Sequence, residues 1–133
     1  NDLMDWIDLP GHTDQLPAEM RAADCFVLPS EMESFGVVLV EALAAGLSVI
    51  STDAPFGPRE ILEDGKYGEL VPVKDAPALA SAMKRAIARG KVAAPEESWK
   101  RFTAEAAVAR YEKALGLWHG PRMDFEKDVC YNI

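Results

Sequence analysis

The chain has 133 residues, 22 of them acidic and 14 basic, for a net charge of −8. An acidic chain is a poor binder of polyanions, which excludes nucleic-acid recognition by bulk attraction, and 49% hydrophobic with 27% charged residues excludes a disordered chain. The charge is uneven: residues 1–64 hold 13 Asp and Glu against Arg21 and Arg59, while residues 65–133 hold 9 against 12 Lys and Arg. A phosphate ligand would have to be met by backbone amides, a few placed cations or a partner segment.

In chain order, Trp6-Ile7-Asp8-Leu9 reads as a short strand closed by Pro10-Gly11. Residues 14–23 read as a helix with Leu16, Met20 and Ala23 on one side. Cys25-Phe26-Val27-Leu28 is a continuous apolar run that suits a strand covered on both faces, and residues 30–34 form a polar loop. A helix over 36–45 follows, ending at Gly46 as a left-handed cap, and Val49-Ile50-Ser51-Thr52 is a second buried strand. A Pro/Gly loop over 53–58 leads into a helical turn at 59–63, and Leu70-Val71-Pro72-Val73 is a further strand. Residues 76–89 place Leu79, Met83 and Ile87 on one helical stripe. Pro95 opens a last helix with Trp99, Phe102, Ala106, Val108, Tyr111 and Leu115 as its apolar positions, and Trp99, Phe102 and Tyr111 read as core packing.

This order predicts an α/β fold, a partial Rossmann-like parallel sheet of about four strands with helices on both faces. One domain is expected, with residues 1–116 as its body and 117–133 as a weakly patterned C-terminal tail that is extended, wrapping or partly disordered. No apolar run approaches a membrane span and no signal-peptide pattern is visible. Cys25 and Cys130 lack metal-ligand or redox spacing, which fits two reduced thiols in a cytosolic protein. His12 and His119 have no partner at metal spacing, so no histidine-based metal site is expected.

Ligands of such sheets gather at the carboxyl ends of the strands, which directs attention to residues 29–36 and 52–60. The helix from Gly36 onward is apolar nearly all round, predicting a buried helix in which Glu41 is the one charge. An unpartnered buried carboxylate costs several kcal/mol, leaving two explanations: a buried ion pair, for which local cations are scarce, or a ligand rich in hydroxyl donors such as a ribose. Glu33 lies in the preceding loop, either as a solvated residue or as a second carboxylate that grips hydroxyls. Five helical steps from Gly36 to Glu41 span about 7–8 Å, so the two carboxylates are spaced to bracket a diphosphate. Between them lie the amides of Phe35, Gly36 and Val37 at the helix start, a phosphate cradle, with Ser34 placed to cap the helix. Arg59 and Glu60 either edge this site or form a surface ion pair; Ser30 reads as a loop hydrogen-bonder. A glycosidase acid/base pair is rejected because Glu41 would be anchored inside an apolar helix instead of facing a water channel.

Pro29-Ser30, then Glu33-Ser34-Phe35-Gly36, then Glu41-Ala42-Leu43-Ala44-Ala45-Gly46 resemble the signature of glycosyltransferase family 4, retaining, nucleotide-sugar-dependent enzymes of the GT-B fold. The likeness continues through residues 47–52, Gly57-Pro58-Arg59-Glu60-Ile61-Leu62, Asp64-Gly65, Gly68 and residues 70–73, and covers roughly residues 7–90. The resemblance implies that Glu33 contacts the hydroxyls of the donor sugar as the catalytic-site carboxylate. It implies that Glu41 grips the nucleotide ribose and that Phe35, Gly36 and Val37 hold the distal phosphate. It also implies a nucleotide-diphosphate sugar as donor substrate with no further cofactor or metal, and a saccharide or lipid-linked acceptor held by another domain.

Such enzymes pair two Rossmann-like domains, and in the family an arginine and a lysine near the first donor-domain strand neutralise the diphosphate. No such segment precedes Trp6, so the chain is expected to be a truncated donor domain, inactive alone, with its central strands absent and Cys25–Leu28 left with an open edge that invites homo-oligomerisation. The acidic excess of residues 1–64 is then expected to reflect the absence of those cations. The second half reads as solvated helix surface. Cytoplasmic location is expected, with the full-length protein peripheral to the inner face of the membrane. Two rival functions share the sequence features: a GT-B nucleotide-sugar epimerase, and a non-catalytic half-domain used for binding or oligomerisation.

Overall fold

A computed structural model describes residues 3–117. Its apolar runs form three strands, β1 (Cys25–Leu28), β2 (Ser48–Thr52) and β3 (Glu69–Val71), joined in that order into a parallel sheet. β1 pairs with β2 from Cys25 opposite Ser48 to Leu28 opposite Ser51; β2 pairs with β3 from Ile50 opposite Glu69 to Thr52 opposite Val71. The period of two in a strand divides the side chains between two cores. Phe26, Leu28, Val49 and Leu70 serve one face, and Cys25, Val27, Ile50 and Val71 the other. Among the described residues β1 is an edge strand.

The first face is covered by α1 (Leu16–Ala22) through Met20, by α2 (Val37–Ala44) through Leu39, Ala42 and Leu43, and by α3 (Pro58–Ile61) through Ile61. Burying each large aliphatic side chain there contributes about 1.5–3 kcal/mol. The second face is covered by α4 (Ala76–Arg89), which Asp75 caps by accepting the Ala78 amide at 2.9 Å. Two short helices follow, α5 (Glu97–Lys100) and α6 (Ala104–Leu115).

Several expectations change here for physical reasons. Residues 6–9 are not a strand: a 3-10 helix spans Leu3–Trp6 and irregular chain follows, so among the described residues the sheet has three strands, close to the four expected. Trp6 is 87% exposed, and an apolar run becomes a strand only where a ladder partner accepts it. α4 does not bury the stripe of Leu79, Met83 and Ile87. It seats Ala82 and Ala86 on Ile50 and Val71, with Leu79 half-buried, because small residues let a helix approach a sheet closely. That leaves Met83 and Ile87 partly or largely exposed.

The last expected helix is broken at Thr103, whose extended backbone and hydroxyl, accepting the Ala106 amide at 3.3 Å, start a new helix. Trp99 and Phe102 pack against the core as expected, but no residue of α6 is buried and Tyr111 is 70% exposed. Most of the expected tail lies outside the described residues, as does Cys130.

Cys25 is a free, half-buried thiol. Burial pushes its pKa up and the neighbouring Asp24 carboxylate pushes it further the same way, so less thiolate is present at any pH below that value. Alkylation by iodoacetamide at pH 8, followed peptide by peptide by mass spectrometry, is expected to be slower at Cys25 than in an unfolded peptide of the same sequence. Equal rates would contradict this.

Candidate functional site

Two loops leave the carboxyl end of the sheet side by side, 29–36 after β1 and 53–57 after β2. Thr52 ties them together: its hydroxyl donates to the Ser30 carbonyl, with the Leu28 carbonyl at 3.2 Å. Ser30 in turn donates its hydroxyl proton to Glu33 Oε1 at 2.7 Å, which confirms a loop hydrogen-bonder and gives the half-buried Glu33 carboxylate a fixed orientation. Asp53 anchors the second loop through its amide, which donates to the Val71 carbonyl at 2.7 Å.

The two loops also approach each other backbone to backbone. Gly57 adopts φ 71° and ψ −73°, the strained γ-turn region that glycine alone enters readily. A Cβ on it would lie 1.8 Å from the Phe35 carbonyl oxygen and 2.7 Å from its Cα. Phe35 is backed from the other side by Phe102, edge-on at 5.5 Å and 72°. Loop 29–36 is therefore clamped between β2's loop and the segment that joins α5 to α6.

Helix α2 begins at the end of this loop. Gly36, at φ 87°, is its N-cap, and no side chain caps it, so the expected capping by Ser34 is not found; Ser34 is exposed. The glycine replaces a side-chain acceptor, leaving the first-turn amides around Val37 without side-chain partners. Val37 is 59% exposed.

Glu41 departs most from expectation. α2 is apolar nearly all round, yet only Leu39, Ala42 and Leu43 are buried, and Glu41 lies on the exposed face with Val37 and Ala44. Burial does not require a partner for Glu41, and the argument against a glycosidase pair from a carboxylate locked in the core no longer applies. Glu41 has no ion-pair partner among the described residues.

Ser34 and Phe35 line one wall of a cleft of about 530 Å³; Phe56, Gly57, Arg59, Glu60 and Asp64 line the rest. Arg59 lines this cleft and is ion-paired, with Asp53 and with Asp64, the latter at 3.1 Å. Hydrogen bonds to Asp53 and then Asp64 raise its pKa still further above the usual arginine range. Its charge is thereby largely balanced within the chain. Glu60 sits beside it, exposed. Asp53 and Phe56, to which the sequence assigns no role by itself, also stand at the cleft, the one holding Arg59 and the other in its lining; the available signal for Phe56 is Pro55-Phe56-Gly57-Pro58, an aromatic inside a turn tetrapeptide.

A second cavity of about 420 Å³, lined by Ser48, Lys66, Tyr67, Gly68 and Arg89 among others, lies at the amino ends of β2 and β3, the end of a parallel sheet that ligands avoid. Among the described residues no group of three His, Cys, Asp or Glu is placed to hold a metal ion. No described helix is long and apolar enough to cross a membrane.

A parallel α/β sheet whose loops meet at a helix N-terminus defines the class of protein: an α/β domain of the GT-B kind. The chain belongs to the glycosyl transferases group 1 family, whose model matches residues 2–106. It is 45% identical over 98 residues to a phosphatidyl-myo-inositol mannosyltransferase of Mycobacterium tuberculosis, covering 70% of this chain and 25% of that protein. It is 35% identical over 117 residues to an exopolysaccharide phosphotransferase of Streptomyces coelicolor, covering 84% of this chain and 12% of that protein. Among solved structures, Anabaena Alr3699/HepE in complex with UDP superposes with a TM-score of 0.76 at 26% identity, over 86% of this chain and 33% of that one. The chain thus spans a quarter or less of these two curated relatives.

Proposed function

We propose that this chain is the donor-binding portion of a glycosyltransferase that uses a nucleotide-diphosphate sugar and transfers the sugar with retention to an acceptor held elsewhere in the protein. The observation that carries the reading is the junction of loops 29–36 and 53–57 at the N-terminus of α2, in a chain of this family. The UDP bound to a structural neighbour supports a nucleotide as ligand. In this reading the first-turn amides near Phe35, Gly36 and Val37 take the distal phosphate, because a helix start offers unpaired N–H donors and a partial positive charge. Glu41, exposed on α2 about 7–8 Å further on, grips the ribose hydroxyls. Glu33, held by Ser30, takes the sugar hydroxyls at the reacting end. Ser34 lines the sugar side of the cleft, with Arg59 and Glu60 at its edge.

Exposure of Glu41 sharpens this assignment. A carboxylate that faces solvent in the free protein is available to a ligand and pays little structural penalty when removed. Glu41→Ala is expected to weaken UDP or GDP binding about tenfold, roughly 1.4 kcal/mol, with the thermal midpoint nearly unchanged. Isothermal titration together with thermal unfolding tests it, and unchanged nucleotide affinity in the variant would sink the assignment.

A further inference from the structure

We infer that Phe56 determines sugar specificity, its ring forming the apolar platform against which the transferred sugar of the donor packs. The inference rests on the donor-binding reading and goes further by naming the residue that faces the sugar. Phe56 has φ 65°, in the left-handed region that a bulky aromatic residue rarely enters and that glycine enters freely. Strain of this kind persists where something else favours the residue.

Packing within the chain does not supply that compensation. Phe56 is 79% exposed, whereas Phe26, Phe35 and Phe102 all pack against the core of the first sheet face. Nor is the ring on a slack loop. Ala54 and Pro58 on either side are buried, Gly57 is pressed against the Phe35 backbone, and Asp53 is tied to β3 and to Arg59. The chain holds an apolar ring rigidly outward, into a cleft that Phe35 and Gly57 share with four polar or charged residues, Ser34, Arg59, Glu60 and Asp64.

An exposed aromatic face beside hydroxyl-binding groups is the chemistry that recognises a pyranose, whose ring presents C–H bonds on one face and hydroxyls around its edge. The position agrees. Ser34 and Phe35 line the cleft next to Glu33, before the start of α2, whereas Glu41 lies more than one helical turn beyond it. The cleft is on the sugar side of the phosphate cradle, away from the nucleoside.

The test compares Phe56→Gly, Phe56→Leu and Phe56→Tyr in the whole chain, titrated with UDP, GDP, UDP-glucose and GDP-mannose, with a thermal melt of each. Phe56→Gly is expected to raise the melting temperature, because it removes the left-handed strain, and to weaken the sugar nucleotide about tenfold while changing the bare nucleotide less than about twofold. Phe56→Leu loses most of the same discrimination, and Phe56→Tyr, which keeps the ring, retains it. A lower melting temperature in Phe56→Gly, or equal changes for nucleotide and sugar nucleotide, would overturn the inference and leave donor binding intact. If the unaltered chain binds none of the four ligands, the donor-binding reading fails and this inference falls with it.

Discussion

Gly57→Ala is expected to destabilise the chain by about 3–5 kcal/mol, or to displace loop 29–36 from its seat. The new methyl carbon would lie 1.8 Å from a backbone oxygen of Phe35, where no rotamer change relieves the overlap. It would also hold alanine at a φ of 71° that costs an L-residue about 1–2 kcal/mol by itself. Gly36→Ala separates the two effects. Gly36 has a similar φ of 87°, but its nearest neighbour to a Cβ is a flexible Leu39 methyl at 3.4 Å, so only the conformational cost of about 1–2 kcal/mol is expected. Urea unfolding of both variants is the measurement, and similar midpoints for the two would show that the contact with Phe35 carries no weight. Because that contact joins the two loops of the site, Gly57→Ala is also expected to lose nucleotide binding under conditions where it remains folded.

Arg101→Ala is expected to cost about 3 kcal/mol and to loosen the site from behind. The guanidinium donates to the carbonyls of Glu60 and Ile61 at 2.8 and 3.0 Å at the end of α3, and pairs with Glu63. It also stacks 4.6 Å from the centre of the Phe102 ring, the ring that backs Phe35. One arginine thus joins the C-terminal helices to the end of α3 and, through the Phe102 ring, braces Phe35 of loop 29–36. Arg101→Lys is expected to recover less than half of the loss, because an ammonium lacks the planar fork that reaches two carbonyls and a carboxylate together. Urea midpoints measure this. A full rescue by lysine would mean that charge alone matters at this position.

Much of the fold was legible because its signals are local. Cys25–Leu28 and Ser48–Thr52 are short apolar runs bounded by turn residues, and α4 carries its cap at Asp75 and its stop at Gly90. The place of the motif was legible: Glu33, Ser34, Phe35, Gly36 and Val37 stand where β1 gives way to α2. What failed was inference about environment. Trp6 to Leu9 have the composition of a strand without a ladder to join, and α2 has the composition of a buried helix but one face without a covering neighbour among the described residues. Tyr111 was assigned to the core by periodicity, which identifies a helical face without saying whether anything packs on it.

Charge shows the same division. The sequence by itself determined the acidic excess of the first half, the order of the motif and the glycines on which its turns depend, since each is a property of composition or of a few neighbouring residues. Only the tertiary structure decided which charges meet. Lys74 pairs with Glu31 at 3.1 Å, and Lys66 and Arg101 with Glu63, so bases of the second half are not solely solvated helix surface; some neutralise acids of the first. Arg59, one of the first half's two cations, is taken up by Asp53 and Asp64, while Glu41 is left exposed. Lys74 with Glu31 and Arg101 with Glu63 join residues far apart in the chain, because Coulomb attraction falls with distance in space regardless of separation in sequence.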